Sequence, residues 1–283
     1  MAKQLLGKEV TAAMNEKIKA NVAKLQEKGI TPTLGIIRVG ERDDDISYER
    51  GATKRCETLG VAYEKFLLPQ DVAEEELLAV IDQVNKNDAI HGVLLFRPLP
   101  KHLNEEKIIN ALDFAKDVDG ITDGSLAGVF AGKKQGFPPC TPQGCMEILD
   151  HYGIDCTGKK AVVVGRSLVV GKPAAMMLIQ KNATVTICHT KTVDMPSVVK
   201  EADIVIVAAG RDGVIDGSYL REGQVVIDVG ININEEGKLC GDVKYDEAEK
   251  IVDAITPVPG GAGSVTTSVL VGHVVEAAMR KYL

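Results

Sequence analysis

The sequence predicts an α/β protein of two domains, the second built as a Rossmann-like doubly wound parallel sheet. Three observations carry this. Apolar runs of strand length recur in two series, within 33–96 and again within 160–230. Most of these runs are continuous rather than alternating, as strands covered on both faces require. Between the series lies GKKQGFPPCTPQG (132–144), whose Gly, Pro and Lys cannot form a strand core and which reads as an interdomain crossing. At 283 residues the chain also reaches the length at which one core usually divides.

The elements follow in order. Val10, Met14, Ile18, Val22 and Leu25 recur at helical spacing, so a helix runs from Val10 to Lys28 and stops at Gly29. TLGIIRV (33–39), VAYEKFLL (61–68) and HGVLLF (91–96) read as buried strands, with helical crossovers at 44–59 and 73–86. CTPQGCMEIL begins a helix, with Thr141 as its N-cap and Pro142 in its first turn. KAVVVG, ATVTIC, ADIVIVAAG and QVVIDVG, at 160, 183, 202 and 224, supply four strands of the second sheet. A last helix covers 264–281.

Composition narrows the function classes. Hydrophobic residues are 45% and charged residues 26%, which suits a sizeable core, and with Trp absent that core must be aliphatic. A net charge of -7 and a pI near 5.4 give no global attraction to nucleic acid or to an anionic membrane. No uninterrupted apolar stretch approaches the roughly 18 to 20 residues that span a bilayer. Cys56, Cys140, Cys145, Cys156, Cys188 and Cys240 form no CxxC pair, so reduced thiols and a cytoplasmic protein are expected, with no metal site.

AVVVGRSLVVGKPAAMMLI runs from the first strand of the second series into a glycine turn and a helix. Gly165 and Gly171 flank five residues, so the letters do not spell GxGxxG. Position says more. A glycine turn at the carboxyl end of the first strand sets a helix N-terminus against a diphosphate, although an ordinary strand-to-helix turn could share the pattern. About 20 residues on, NAD-binding folds place a carboxylate for the ribose hydroxyls. Here TICHTKT offers His189, Thr190 and Lys191 instead, with Arg166 in the turn, a set suited to a 2'-phosphate. NADP is therefore favoured over NAD; read alone, His189 is equally a surface histidine at a strand end.

Six ordered motifs together resemble the methylenetetrahydrofolate dehydrogenase/cyclohydrolase family along essentially the whole chain: KDVDG (116–120), PCTPQG (139–144), VVVGRSLVVGKP (162–173), ATVTICHTKT (183–192), IDVGIN (227–232) and TPVPGGAGSVT (256–266). The resemblance implies a folate-binding catalytic domain over 1–138, a dinucleotide-binding domain over 139–263, a cleft between them, and a final helix, 264–283, packing back on the first domain. A homodimer is the family expectation. Tyr48 and Asp119 become the catalytic pair, Asp119 as the carboxylate that accepts N–H donors from the pterin. Pro257, Gly260 and Gly261 border folate, while Thr141, Gly165, Arg166, Ser167, Gly171, His189, Thr190, Lys191 and Ile231 border the cofactor.

One stretch departs from the family. There, the Tyr is followed four residues later by Lys and preceded by Ser three residues before, and a Gln stands in a VQLPLP run. Here the Lys position is Ala52, the Ser position is Asp45, and LLFRPLP puts Phe96 at the Gln position. Helical geometry turns Lys54 about 200° from Ala52. Arg55 holds its proton too tightly to act as a base. The expectation is a dehydrogenase that oxidises 5,10-methylenetetrahydrofolate to the methenyl form with weak or absent cyclohydrolase activity. The alternative is a bifunctional enzyme that also makes 10-formyltetrahydrofolate.

Overall fold

The computed structural model describes residues 1–283. In chain order it runs β1 (Lys3–Gln4), α1 (Gly7–Gln26), β2 (Thr33–Val39), α2 (Asp43–Leu59), β3 (Ala62–Leu68), α3 (Glu74–Lys86), β4 (Gly92–Leu95), α4 (Glu105–Ala111), α5 (Asp123–Ala131) and α6 (Cys140–His151). It continues with β5 (Lys160–Val164), α7 (Gly171–Gln180), β6 (Thr184–Cys188), α8 (Met195–Lys200), β7 (Ile204–Val207), β8 (Val225–Asp228), β9 (Asn232–Ile233), β10 (Leu239–Cys240), α9 (Tyr245–Ala248), β11 (Ala254–Ile255) and α10 (Thr266–Tyr282). The chain forms two compact units, residues 13–140 with 267–283, and residues 1–12 with 141–266.

The unit of residues 13–140 and 267–283 holds a parallel three-stranded sheet in the order β3-β2-β4. Leu34, Ile36 and Ile37 of central β2 are fully buried, and Ile37, Leu77, Ile81, Leu95 and Ile108 share one apolar cluster. VAYEKFLL is a strand, but not one covered on both faces. As β3 it lies at the sheet edge, with Ala62 to Lys65 exposed, and Lys65 reaches over to Glu49 of α2 (2.7 Å). Beyond β4 the chain from Lys116 runs parallel to it, with Val93 N–H donating to Lys116 O, and this sets KDVDG beside the sheet.

α2 starts on three acids, Asp43 to Asp45, whose charge favours the positive end of the helix. It ends at Gly60, which takes the left-handed conformation (φ 73°) that glycine adopts without strain. Four residues apart on this helix, Tyr48 and Ala52 lie on one side of it. The helical segment Ala262–Tyr282, which ends in α10, is apolar and long enough by length and composition to cross a membrane. Its Val269, Leu270, Val271, Val274 and Val275 are buried at 1% exposure or less, so it is a core helix of this fold.

The other unit carries a six-stranded parallel sheet in the order β1-β11-β8-β7-β5-β6. Val162, Val164, Val205, Val207 and Val226 fill its core, as continuous apolar strands predict. All four expected strands are present as β5 to β8. The first twelve residues also belong here rather than with the first series, because Lys3 and Gln4 pair with Ala254 and Ile255 at the sheet edge. A two-residue strand carries too little pattern to be read in advance. Thr141 is not an N-cap: α6 opens at Cys140, leaving Thr141 inside the first turn. The chain arrives there through Pro138 and Pro139, which cross so tightly over Gly120 that a Cβ there would strike Pro139 N.

Candidate functional site

The functional residues form two groups, one on each unit. In the first, Tyr48 of α2 meets Phe96, just past β4, edge to face with ring centroids 5.9 Å apart. Ala52 is 0% exposed one turn further along α2, and Phe96 is 8% exposed, so both positions at which the family pattern has a lysine and a glutamine are buried and apolar. Burial, then the charge of Asp119, then Cys140, push the Tyr48 phenol well above its usual range. Tyr48 is therefore a neutral hydroxyl that can donate a hydrogen bond, not a base. Lys54 is exposed and Arg55 half-buried. Asp45 is buried, and its carboxyl is raised mainly by burial, with Arg42 (3.9 Å) and Arg38 opposing.

KDVDG divides labour between its two acids. Asp117, fully buried, accepts from Ile121 N–H (3.0 Å), Thr122 N–H (2.7 Å) and Thr122 Oγ1 (2.7 Å), and so builds the start of α5. Asp119 is half-buried and not consumed by such a turn. Burial lifts its carboxyl to about 6, while the nearby Cys140 side chain and the charge of Arg97 pull it down. Behind it, Val118 O accepts from the Cys140 thiol (3.3 Å) and from His273 Nδ1 (2.8 Å). Cys140 and His273 were not singled out in the sequence; the PCTPQG motif held Cys140, whereas nothing local marked His273.

In the second group, the turn after β5 requires its glycines. Gly165 has φ 133°, and a Cβ there would strike Ala208 O; one on Gly171 would strike Gly165 O. Ser167 Oγ accepts from Val170 N–H (3.1 Å), holding the approach to α7. Gly165 N–H donates to Cys188 O (2.9 Å), which sets the turn beside the end of β6, where His189, Thr190 and Lys191 follow. His189 Nδ1 accepts from Lys191 N–H (3.1 Å), so in the neutral ring Nε2 carries the proton and can donate. Arg166, Thr190 and Lys191 are exposed, and no carboxylate stands among these residues.

Ile231, Pro257, Gly260 and Gly261 line one cavity of about 200 Å³, together with Asp228 and Leu239. Ile231 is 66% exposed, an apolar surface suited to a flat ring. Asp228, from IDVGIN, had no assigned role in the sequence, yet it is buried and raised to about 6 by burial, against hydrogen bonds from the backbones of Asp242, Val243 and Gly230. Thr141, inside the first turn of α6, lies outside this cavity lining.

A parallel sheet with a glycine turn at its first strand, beside a basic strand end that lacks a carboxylate, defines a nicotinamide-dinucleotide-binding unit. The comparisons agree. The catalytic domain of tetrahydrofolate dehydrogenase/cyclohydrolase matches residues 5–119, and the NAD(P)-binding domain of the same family matches 139–282. The chain belongs to the tetrahydrofolate dehydrogenase/cyclohydrolase family. It is 54% identical to the "Bifunctional protein FolD" of Carboxydothermus hydrogenoformans, over 98% of this chain and 97% of that protein. Among solved structures it is similar to the Campylobacter jejuni FolD methylenetetrahydrofolate dehydrogenase/cyclohydrolase (TM-score 0.96, 38% identity, 99% and 100% of the two chains). It is also similar to the Trypanosoma brucei FolD complexed with NADP cofactor and inhibitor (TM-score 0.92, 32% identity, 99% and 98%).

Proposed function

We propose that this protein is a 5,10-methylenetetrahydrofolate dehydrogenase, using NADP in preference to NAD, whose cyclohydrolase activity is weak or absent. The observation that carries the reading is the apolar group formed by Tyr48, Ala52 and Phe96. Hydride loss from the methylene bridge gives a cation delocalised over N5 and N10, and no proton must be removed. That step needs the nicotinamide C4 positioned against the carbon, which is a matter of binding and orientation. Hydrolysis of the methenyl cation differs, since water must be activated and a proton delivered to the departing nitrogen. A neutral Tyr48 flanked by Ala52 and Phe96 supplies neither.

In this reading Asp119 anchors the pterin as a carboxylate accepting two N–H donors, and Tyr48 contributes a hydroxyl to the folate wall. Pro257, Gly260 and Gly261 border the folate. Gly165, Ser167 and Gly171 receive the diphosphate at the α7 N-terminus, Ile231 and Thr141 border the nicotinamide end, and Arg166, His189, Thr190 and Lys191 hold the 2'-phosphate. Support for NADP comes from that basic set and from the NADP named with the Trypanosoma brucei structure.

A second reading, the bifunctional enzyme, is favoured by the name that relatives such as the Carboxydothermus hydrogenoformans protein carry. In it Asp119, with a carboxyl near 6, or the buried Asp45 would have to move the proton. The first test is common to both: purified protein with methylenetetrahydrofolate and NADP+ should yield reduced nicotinamide, with methenyltetrahydrofolate accumulating in equal amount only if hydrolysis is absent. No reduced nicotinamide with NADP+ or NAD+ would remove both readings in favour of a folate binder without turnover.

A further inference from the structure

Outside the residues already assigned, the second unit contains a buried pair of acids whose hydrogen bonds tie three loop segments together. Asp242 is fully buried. Its Oδ2 accepts from Ala209 N–H (2.6 Å) and Gly210 N–H (2.9 Å), and its Oδ1 from Arg211 N–H (2.9 Å) and Asn232 Nδ2 (2.9 Å). Asp228 accepts from Gly230 N–H (2.9 Å), Asp242 N–H (3.0 Å) and Val243 N–H (2.9 Å). One bond, from Asp242 N–H to Asp228 Oδ1, joins the two acids directly. A Cβ on Gly230 would strike Asp242 Oδ1, and a Cβ on Gly241 would strike Asp228 Oδ2. Two glycines have thus left the space that the two carboxylates fill.

The segments so tied are those next to the nucleotide-binding features. Residues 208–211 follow β7, and Ala208 O is the atom that forbids a Cβ at Gly165 in the glycine turn. Gly230 and Ile231 line the cavity beside Pro257 and Gly261. Three successive N–H groups converging on one point form a nest able to bind an anion. Here Asp242 fills that nest from within the chain, so the backbone of 209–211 is fixed and the nest is closed to an outside phosphate.

We propose that Asp242 is the positioning residue of the cofactor site: it holds the 208–211 loop against the glycine turn and, through Asn232, fixes the segment that carries Ile231. The proposal rests on the reading that this turn and cavity receive the nicotinamide dinucleotide. Asp242 touches neither cofactor nor folate. Its effect falls on cofactor affinity, with no direct effect on the pterin anchor Asp119.

The test is NADPH titration of wild type and of Asp242→Ala, followed by dehydrogenase kinetics with and without formate. In Asp242→Ala the cofactor Kd and KM should rise about tenfold or more, as loss of hydrogen bonds to a charge implies, while the folate KM stays within about twofold. Formate, entering the emptied nest, should bring the cofactor KM back part of the way, which a general loosening of the fold would not allow. A folded Asp242→Ala with unchanged cofactor Kd overturns the proposal, and so does an elevated KM indifferent to formate. Should Asp242→Ala fail to fold, Asn232→Ala removes only the side-chain tie; it should raise the cofactor Kd about threefold or more, and an unchanged Kd there overturns the proposal. Wild-type protein that binds no NADPH would instead count against the functional reading itself.

Discussion

The Tyr48 ring meets Phe96 edge to face, with centroids 5.9 Å apart and planes at 83°. Edge-to-face pairing is a favourable aromatic geometry. Ala52 is fully buried on the same helix, so Phe96 and Ala52 put two apolar side chains at this end of the group, while Asp119 and Cys140 act on the Tyr48 phenol electrostatically.

That relationship predicts the behaviour of Ala52→Lys. A lysine at a fully buried position must shed its charge or displace its neighbours, so the melting temperature should fall. Hydrolysis of methenyltetrahydrofolate should stay at the background rate, because Phe96 offers the amine no polar partner. Ala52→Lys combined with Phe96→Gln should gain enzyme-dependent hydrolysis. Substantial hydrolysis in Ala52→Lys alone would mean that Phe96 is no obstacle.

Asp119→Ala should raise the folate KM by about tenfold to a hundredfold, the range expected for hydrogen bonds to a charged acceptor, with the cofactor KM little changed. Because the Asp119 carboxyl sits at about 6, protonation below that pH exchanges an acceptor for a donor. The wild-type folate KM should therefore climb as pH falls through about 6. Arg97 holds this carboxyl down, so Arg97→Leu should move the inflection to higher pH. A folate KM flat from pH 5 to 8 would rule out the anchoring role.

Cofactor choice is read from the end of β6. Substituting His189, Lys191 and Arg166 by Ala together should raise the KM for NADP by about tenfold or more, through lost charge-assisted bonds to a phosphate, and leave that for NAD within about twofold. Equal losses for both cofactors would show that these residues do not read the 2'-phosphate.

His91 should govern acid stability. Its Nδ1 accepts from Thr33 N–H (3.1 Å), while Nε2 is buried without a partner. Burial, then Lys281 and Lys116, depress the imidazole to about 4 against an ordinary value of 6.5. The folded state thus binds the proton less well than the unfolded chain. Stability from this group is fully present above about 6.5 and is lost as pH falls toward about 4, at up to about 1.4 kcal/mol per pH unit. Urea titrations between pH 7 and 4 should show that loss, and His91→Gln should flatten it. An unchanged acid limb in the variant would assign it to other groups.

Long apolar elements were legible in the sequence because burial dictates their composition. β2, β4 and β5 to β8 lie where continuous apolar runs put them, and α1, α2, α3 and α10 where helical spacing put them. β3 was misjudged, since VAYEKFLL carries enough apolar residues for a buried strand yet occupies an edge that only the topology defines. β1, β9, β10 and β11 have two residues each, too few for any periodicity. The glycine turn after β5 was readable from its motif, as were the apolar residues Ala52 and Phe96 from their positions. Asp242 was not, because its partners Ala209, Gly210 and Arg211 lie about thirty residues away and bind through backbone that no side-chain pattern records. The same holds for His273, which meets Val118 only through the fold.

The central claim is that hydride transfer has been kept without hydrolysis, and the decay of methenyltetrahydrofolate tests it most directly. After NADP+-dependent oxidation of methylenetetrahydrofolate has run to completion, the methenyl absorbance should decline at the rate of a no-enzyme control, whatever the protein concentration. A decline whose rate rises in proportion to added enzyme would contradict the account and establish the bifunctional enzyme in its place.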